Sequence, residues 1–167
     1  MKRLPPAEEV IDLLDLEPSP VEGGFFRQTY VILGHPELGR ADPQASAIFC
    51  VVTPEAYSAP HRLRYDEMFH CYLGDPCVMV ICDQDGMLEL VAVGHRGCDR
   101  QMVQHLVPAR SWQGLRLSGG GRFARLGTTM SPGFGSYAFQ FAETRDVDRF
   151  ASDIAESLIP FLAPQSP

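Results

Sequence analysis

The sequence predicts an all-β protein, a sandwich or barrel of short strands with a helix at each end. Three observations carry this. Its 167 residues contain 15 glycines and 14 prolines, too many breakers for long helices. The apolar runs between them are only strand-length and rich in β-branched and aromatic residues. Helical periodicity appears only near the two ends.

The elements follow in order. Residues 6–16 read as a helix with Val10, Ile11, Leu13 and Leu14 on its apolar face; Pro18 and Pro20 stop it. Gly23 and Gly24 open a strand running to Leu33. Residues 34–44 are a polar loop, and Ala45 to Val52 form a strand apolar enough to be buried on both faces. Ser58 to Gly74 supplies two strands separated by a bend at Arg64-Tyr65-Asp66. Cys77 to Cys82 and Met87 to Val93 flank an Asp-Gly hairpin turn. Further strands fall at 101–107, 112–117, 122–130 and 137–142. Val147, Phe150, Ile154 and Leu158 recur at helical spacing, placing a C-terminal helix at about 146–162, with Asp146 as its cap. One domain over 1–167, with its barrel at about 21–142, accounts for the whole chain.

Composition narrows the function. Formal net charge is −7 and no basic block occurs, which argues against nucleic acid as a partner. No apolar run is long enough to span a bilayer, and Met1 to Pro6 lead into acidic residues rather than an apolar run, so no secretory leader is expected. Five cysteines without a Cys-x-x-Cys read as free thiols in a cytoplasmic protein.

The chemistry concentrates in Ser58 to Pro76. Two histidines, two carboxylates and two arginines fall within ten residues of it, His61 to His70, between β-rich runs. His61 suits a general base, with Glu67 orienting it or sharing its proton. Tyr72 or Tyr137 is a candidate general acid. Arg27 is a candidate anchor for a phosphate or carboxylate, and Glu22, five residues before it, is a second candidate pocket residue. Trp112 offers an apolar wall for a small-molecule ligand. His70 is a further candidate ligand contact, although three residues after Glu67 on a strand it should face the opposite side from it unless a bulge intervenes.

Five segments in order resemble one known family. They are Glu22-Gly23-Gly24-Phe25-Phe26-Arg27-Gln28-Thr29-Tyr30, Ser58-Ala59-Pro60-His61-Arg62, Asp66-Glu67-Met68-Phe69-His70, Val107-Pro108-Ala109-Arg110-Ser111-Trp112 and Ser131-Pro132-Gly133-Phe134. Together they resemble the small fifth cupin family of unknown function. His61, Glu67 and Gly74 also fit the spacing of the first cupin motif, although Leu63 stands where its second histidine belongs. The resemblance implies a double-stranded β-helix, or jelly-roll barrel, paired as a homodimer. It further implies a likeness to deoxysugar 3,5-epimerases.

Metal-binding cupins use three histidines and a glutamate. Here the resemblance leaves His61 and Glu67, with Gln113 in the third histidine's place. The expectation is therefore no cofactor or a weakly bound divalent transition metal on His61, Glu67 and Gln113. A glycine is expected where Arg110 stands, and an acidic, aromatic ending where Phe139-Gln140-Phe141 follows Gly135 to Ala138; Gln140 joins the candidate ligand contacts. His61, Glu67 and Gln113 should share one pocket, with Arg27 on its wall and Leu63 pointing inward. Three readings stand. One is a metal-independent isomerase or epimerase acting on a carbohydrate-like or carbonyl substrate. The others are a non-catalytic small-molecule binder or sensor, and a metal-dependent cupin enzyme with an incomplete ligand set.

Overall fold

The computed structural model describes residues 4–35, 42–96 and 100–142. Two antiparallel sheets face each other across the main core. The strands are β1 (Glu17–Pro18), β2 (Phe25–Ile32), β3 (Ala45–Val52), β4 (Ser58–Leu63), β5 (Glu67–Gly74), β6 (Cys77–Cys82), β7 (Leu88–Val93), β8 (Gln104–Val107), β9 (Trp112–Leu117), β10 (Ala124–Met130) and β11 (Phe139–Phe141). One sheet has the order β1-β2-β3-β10-β5-β8, the other β11-β4-β9-β6-β7. Consecutive strands repeatedly change sheet, as a jelly roll requires.

Period-two alternation fills the space between the sheets. Phe69, Met79, Ile81, Leu115, Leu117 and Leu126 are buried together there. The four described cysteines are free thiols; Cys77 and Cys82 are buried and Cys50 and Cys71 partly so. Cys98 lies outside the described residues. Burial pushes all four thiols up, which keeps them protonated and unreactive.

The helix α1 (Ala7–Leu13) is shorter than the expected 6–16. It ends not at the prolines but at Asp15, whose φ of 53° turns the chain before Pro18 is reached. The turn brings Leu16 under the helix, where it is buried with Val10, Val51 and Phe123 in a second, smaller cluster. Leu13, assigned to the apolar face, is 80% exposed instead. The strand at 45–52 is half-buried along most of its length rather than buried on both faces. The expected C-terminal helix at 146–162 lies outside the described residues.

Two backbone devices position the site. A register shift between Ser58 and His61 breaks the pairing of β4 with β9. It lets Ser58 and His61, an odd number of residues apart, both turn inward. Gly23 and Gly24, at φ of 90° and 71°, then swing the preceding segment across β4. The Ala59 amide donates to the Glu22 carbonyl at 2.7 Å, fixing Glu22 over His61.

Candidate functional site

Inner-face positions bring His61, Glu67 and Gln113 together. His61 on β4 is directly opposite Gln113 on β9, and Glu67 opens β5 in the facing sheet. All three are buried. The His61 Nδ1–H donates to the Ala59 carbonyl at 2.8 Å, so the Nε2 lone pair is free to accept. The Gln113 amide nitrogen lies 3.1 Å from that Nε2 and donates to Glu67 Oε2 at 2.6 Å. Gln113 Oε1 is buried with no hydrogen-bond partner among the described residues. Glu22 Oε2 sits 3.2 Å from His61 Nε2. The Phe139 ring stacks on the imidazole at 4.9 Å and 16°.

Glu22 and Glu67 share a cavity of about 90 Å³, walled largely by Phe26, Ile48, Leu63, Met130, Phe134 and Phe139. Desolvation by these walls pushes both carboxyls up to about 7. A hydrogen bond to Ser58 opposes the shift at Glu22. At Glu67 the charge of Glu22 adds to the shift, while His61 and hydrogen bonds to Thr128 and Gln113 oppose it. Burial holds His61 below its ordinary value, with Glu67 and the Ala59 hydrogen bond pulling the other way. The site therefore favours a neutral imidazole and a carboxyl pair that holds a proton near neutral pH.

Leu63 lines the cavity, as its parity with His61 requires. Other expected site residues go elsewhere. Arg27 alternates with the cavity-lining Phe26 and Gln28 and is exposed, so its place on the wall is corrected. Trp112 neighbours Gln113 and turns to the outer face, where the Arg62 guanidinium lies 4.6 Å above its ring. Gln140 also faces outward and accepts from Arg62 Nε at 2.9 Å.

His70 points away from Glu67, onto the outer face. There its Nε2 is 3.0 Å from Thr129 Oγ1 and its Nδ1 2.9 Å from Gln104 Nε2. Tyr72 shares that face, 46% exposed, its ring 6.2 Å from that of His70. Tyr137 belongs to a short 3-10 turn, Ser136–Ala138, and is 57% exposed. Its hydroxyl and that of Tyr65 hydrogen-bond Asp42, which pushes the Tyr137 phenol up to about 12. Neither tyrosine lines the cavity that Glu22 and Glu67 share.

Phe139 was missed as a site residue because its strand is only three residues long. Its signal was its alternation with Gln140 and Phe141.

This chain belongs to the family described as Cupin superfamily (DUF985), which matches residues 8–142. Among solved structures it is similar to a protein from Shewanella oneidensis. The identity is 24%, the TM-score 0.85, and the match covers 96% of this chain and 99% of that one. A hypothetical protein from Leishmania major is 25% identical, with a TM-score of 0.79 over 93% of this chain and 97% of that one. Oxalate decarboxylase from Bacillus subtilis shares the fold at 15% identity and a TM-score of 0.56, matching 86% of this chain and 34% of its own. No curated protein matches.

The metal that the cupin fold implies does not fit this donor set. Leu63 places a methyl-bearing wall where a ligand imidazole would stand. Gln113 turns its amide nitrogen, a donor, toward both His61 and Glu67. Among the described residues, no group of three or more His, Cys, Asp or Glu side chains is arranged to hold a metal ion. No helix among them is long and apolar enough to cross a membrane.

Proposed function

We propose that the protein is a metal-independent acid–base enzyme of the isomerase or epimerase kind, moving a proton beside a carbonyl group. The observation that supports this best is the shared cavity of Glu22 and Glu67, with His61 Nε2 3.2 Å behind Glu22. Two carboxyls in one apolar pocket cannot both ionise freely. One stays protonated and serves as the acid; the other, ionised, removes the substrate proton. This moves the base from His61, which does not line the cavity, to the carboxyl pair. His61 acts behind them: Nε2 can take the Glu22 proton and return it, while Ala59 fixes Nδ1. Gln113 holds Glu67 in place and keeps Nε2 an acceptor.

The test is deuterium uptake. Small aldehydes and ketones carrying a C–H beside the carbonyl are incubated with the protein in D2O and followed by proton NMR. Wild type should catalyse exchange at that carbon, and Glu67→Gln should lose about 100-fold or more. A compound that raises the melting temperature without exchange or other turnover would instead support the binder reading.

The expected homodimer is proposed to form along β2. The two-residue β1 pairs only with Phe25 and Phe26, and among the described residues no other strand pairs with that edge from Arg27 to Ile32. Tyr30, Ile32 and the following Leu33 are exposed on that segment. Sedimentation of a monomer alone at micromolar concentration would refute pairing.

A further inference from the structure

A second concavity adjoins the carboxyl cavity. It is an open groove of about 650 Å³, and Leu63 and Phe139 line both spaces. These two side chains form the partition between them. The inner cavity has room for about three waters, enough for a carbonyl and its neighbouring carbon but not for a whole metabolite. The groove would hold the rest.

The groove is basic although the chain is acidic. Arg62, Arg64 and Arg110 all line it, and no carboxylate does. Among the described residues, none of the three is ion-paired with a carboxylate. Asp42 lies close enough to Arg64 to feel its charge, but Tyr65 and Tyr137 hydrogen-bond that carboxylate. Arg62 is set in place by Trp112 beneath it and by Gln140, neither of which removes its charge. Arg110 sits at φ 66°, a conformation that suits glycine and strains a side-chain-bearing residue. Its amide donates to the Leu63 carbonyl at 2.7 Å, tying that strained turn to the partition. Arginine is thus held at the groove where the backbone alone would favour glycine.

We propose that this groove binds the phosphoryl group of a phosphorylated small molecule, whose carbonyl end passes the Leu63–Phe139 partition. Three guanidiniums offer more donors than one carboxylate can accept and match a phosphoryl dianion with several acceptor oxygens. That groove and cavity serve one substrate rests on the carboxyl-pair reading; affinity of the groove for phosphate does not.

The test titrates inorganic phosphate, with acetate at equal ionic strength as the carboxylate control, using calorimetry and thermal melting. Wild type should bind phosphate at least about tenfold more tightly than acetate. Arg110→Gly should lose about tenfold or more in phosphate affinity while melting no lower than wild type without anion. Arg62→Ala should lose a similar factor. Glu67→Gln should keep phosphate binding, which separates failure of the groove from failure of the carboxyl pair. Equal affinity in wild type and both arginine variants would overturn the proposal. So would equal affinity for acetate, or loss of phosphate in Glu67→Gln alone.

Discussion

The two faces of β4 and its extension place neighbouring residues in opposite environments. His61 and Leu63 point inward, to the closed side where Glu22 and Glu67 meet. Arg62 and Arg64 alternate with them and line the open groove. The inner face carries groups whose charge changes with pH, in a place dry enough to shift them. The outer face carries permanent charges in contact with water. Desolvation is useful only for a group that can give up its charge; an arginine cannot. The period of two thus sorts proton chemistry from charge recognition within a few residues.

The largest expected break in this contrast is His61→Ala. It empties a fully buried site beneath Phe139 and removes the acceptor facing Gln113. Denaturant unfolding should show a loss of about 4 kcal/mol, from the cavity plus the unpaired donor. A loss below about 1 kcal/mol, typical of surface sites, would mean the imidazole is not packed as described.

Next comes the pH dependence of Glu67. Its ordinary value is 4.5, and in the fold it is raised to about 7. The folded chain therefore keeps a proton that the unfolded chain has lost. Its contribution to stability is complete below about 4.5 and is lost as pH rises through about 7. That loss is on the order of 3 kcal/mol in wild type and should be largely absent in Glu67→Gln. His61, held below its ordinary value, works in the opposite sense and costs stability as pH falls. Glu67 also raises His61 and is coupled to Glu22, so the difference between the two stability–pH curves reports the Glu67 carboxyl together with its coupling to those two groups. Parallel curves from pH 4.5 to 8 would rule out the raised carboxyl.

The smallest effect belongs to the outer face. Arg62→Ala gives up a contact over Trp112 and one hydrogen bond to Gln140, both at the surface. It should cost less than about 1 kcal/mol and show no pH dependence between about 5 and 9. A larger or pH-dependent loss would mean that the two faces are not independent.

How much of this was legible in the sequence depends on what anchored each residue's parity. Cys77–Cys82 and Trp112–Leu117 could be bounded because turns flank them closely. Leu63 and His70 could be oriented because a motif fixed His61 and Glu67 as inward. Arg27 had no such anchor, and a one-residue change of parity sends a side chain to the other face. Trp112 reads as an apolar wall in the sequence, yet its neighbour Gln113 takes the inner position. Glu22 was a candidate, but its place over His61 depends on two positive-φ glycines and one long-range hydrogen bond. The groove was not legible at all. Its arginines come from β4, the bend after it and the turn before β9, and only the folded chain joins them.

The central claim is that the carboxyl pair of Glu22 and Glu67 holds a proton near neutral pH. Titrating protein labelled with carbon-13 at the glutamate carboxyls, followed by NMR, tests it most directly. The two carboxyl resonances should respond together to a first step near pH 7, well above the rest, and Glu22→Gln or Glu67→Gln should remove one resonance and lower the titration of the other. If every glutamate instead titrates near its ordinary 4.5, the pair is ionised at neutral pH and the proposed acid is lost.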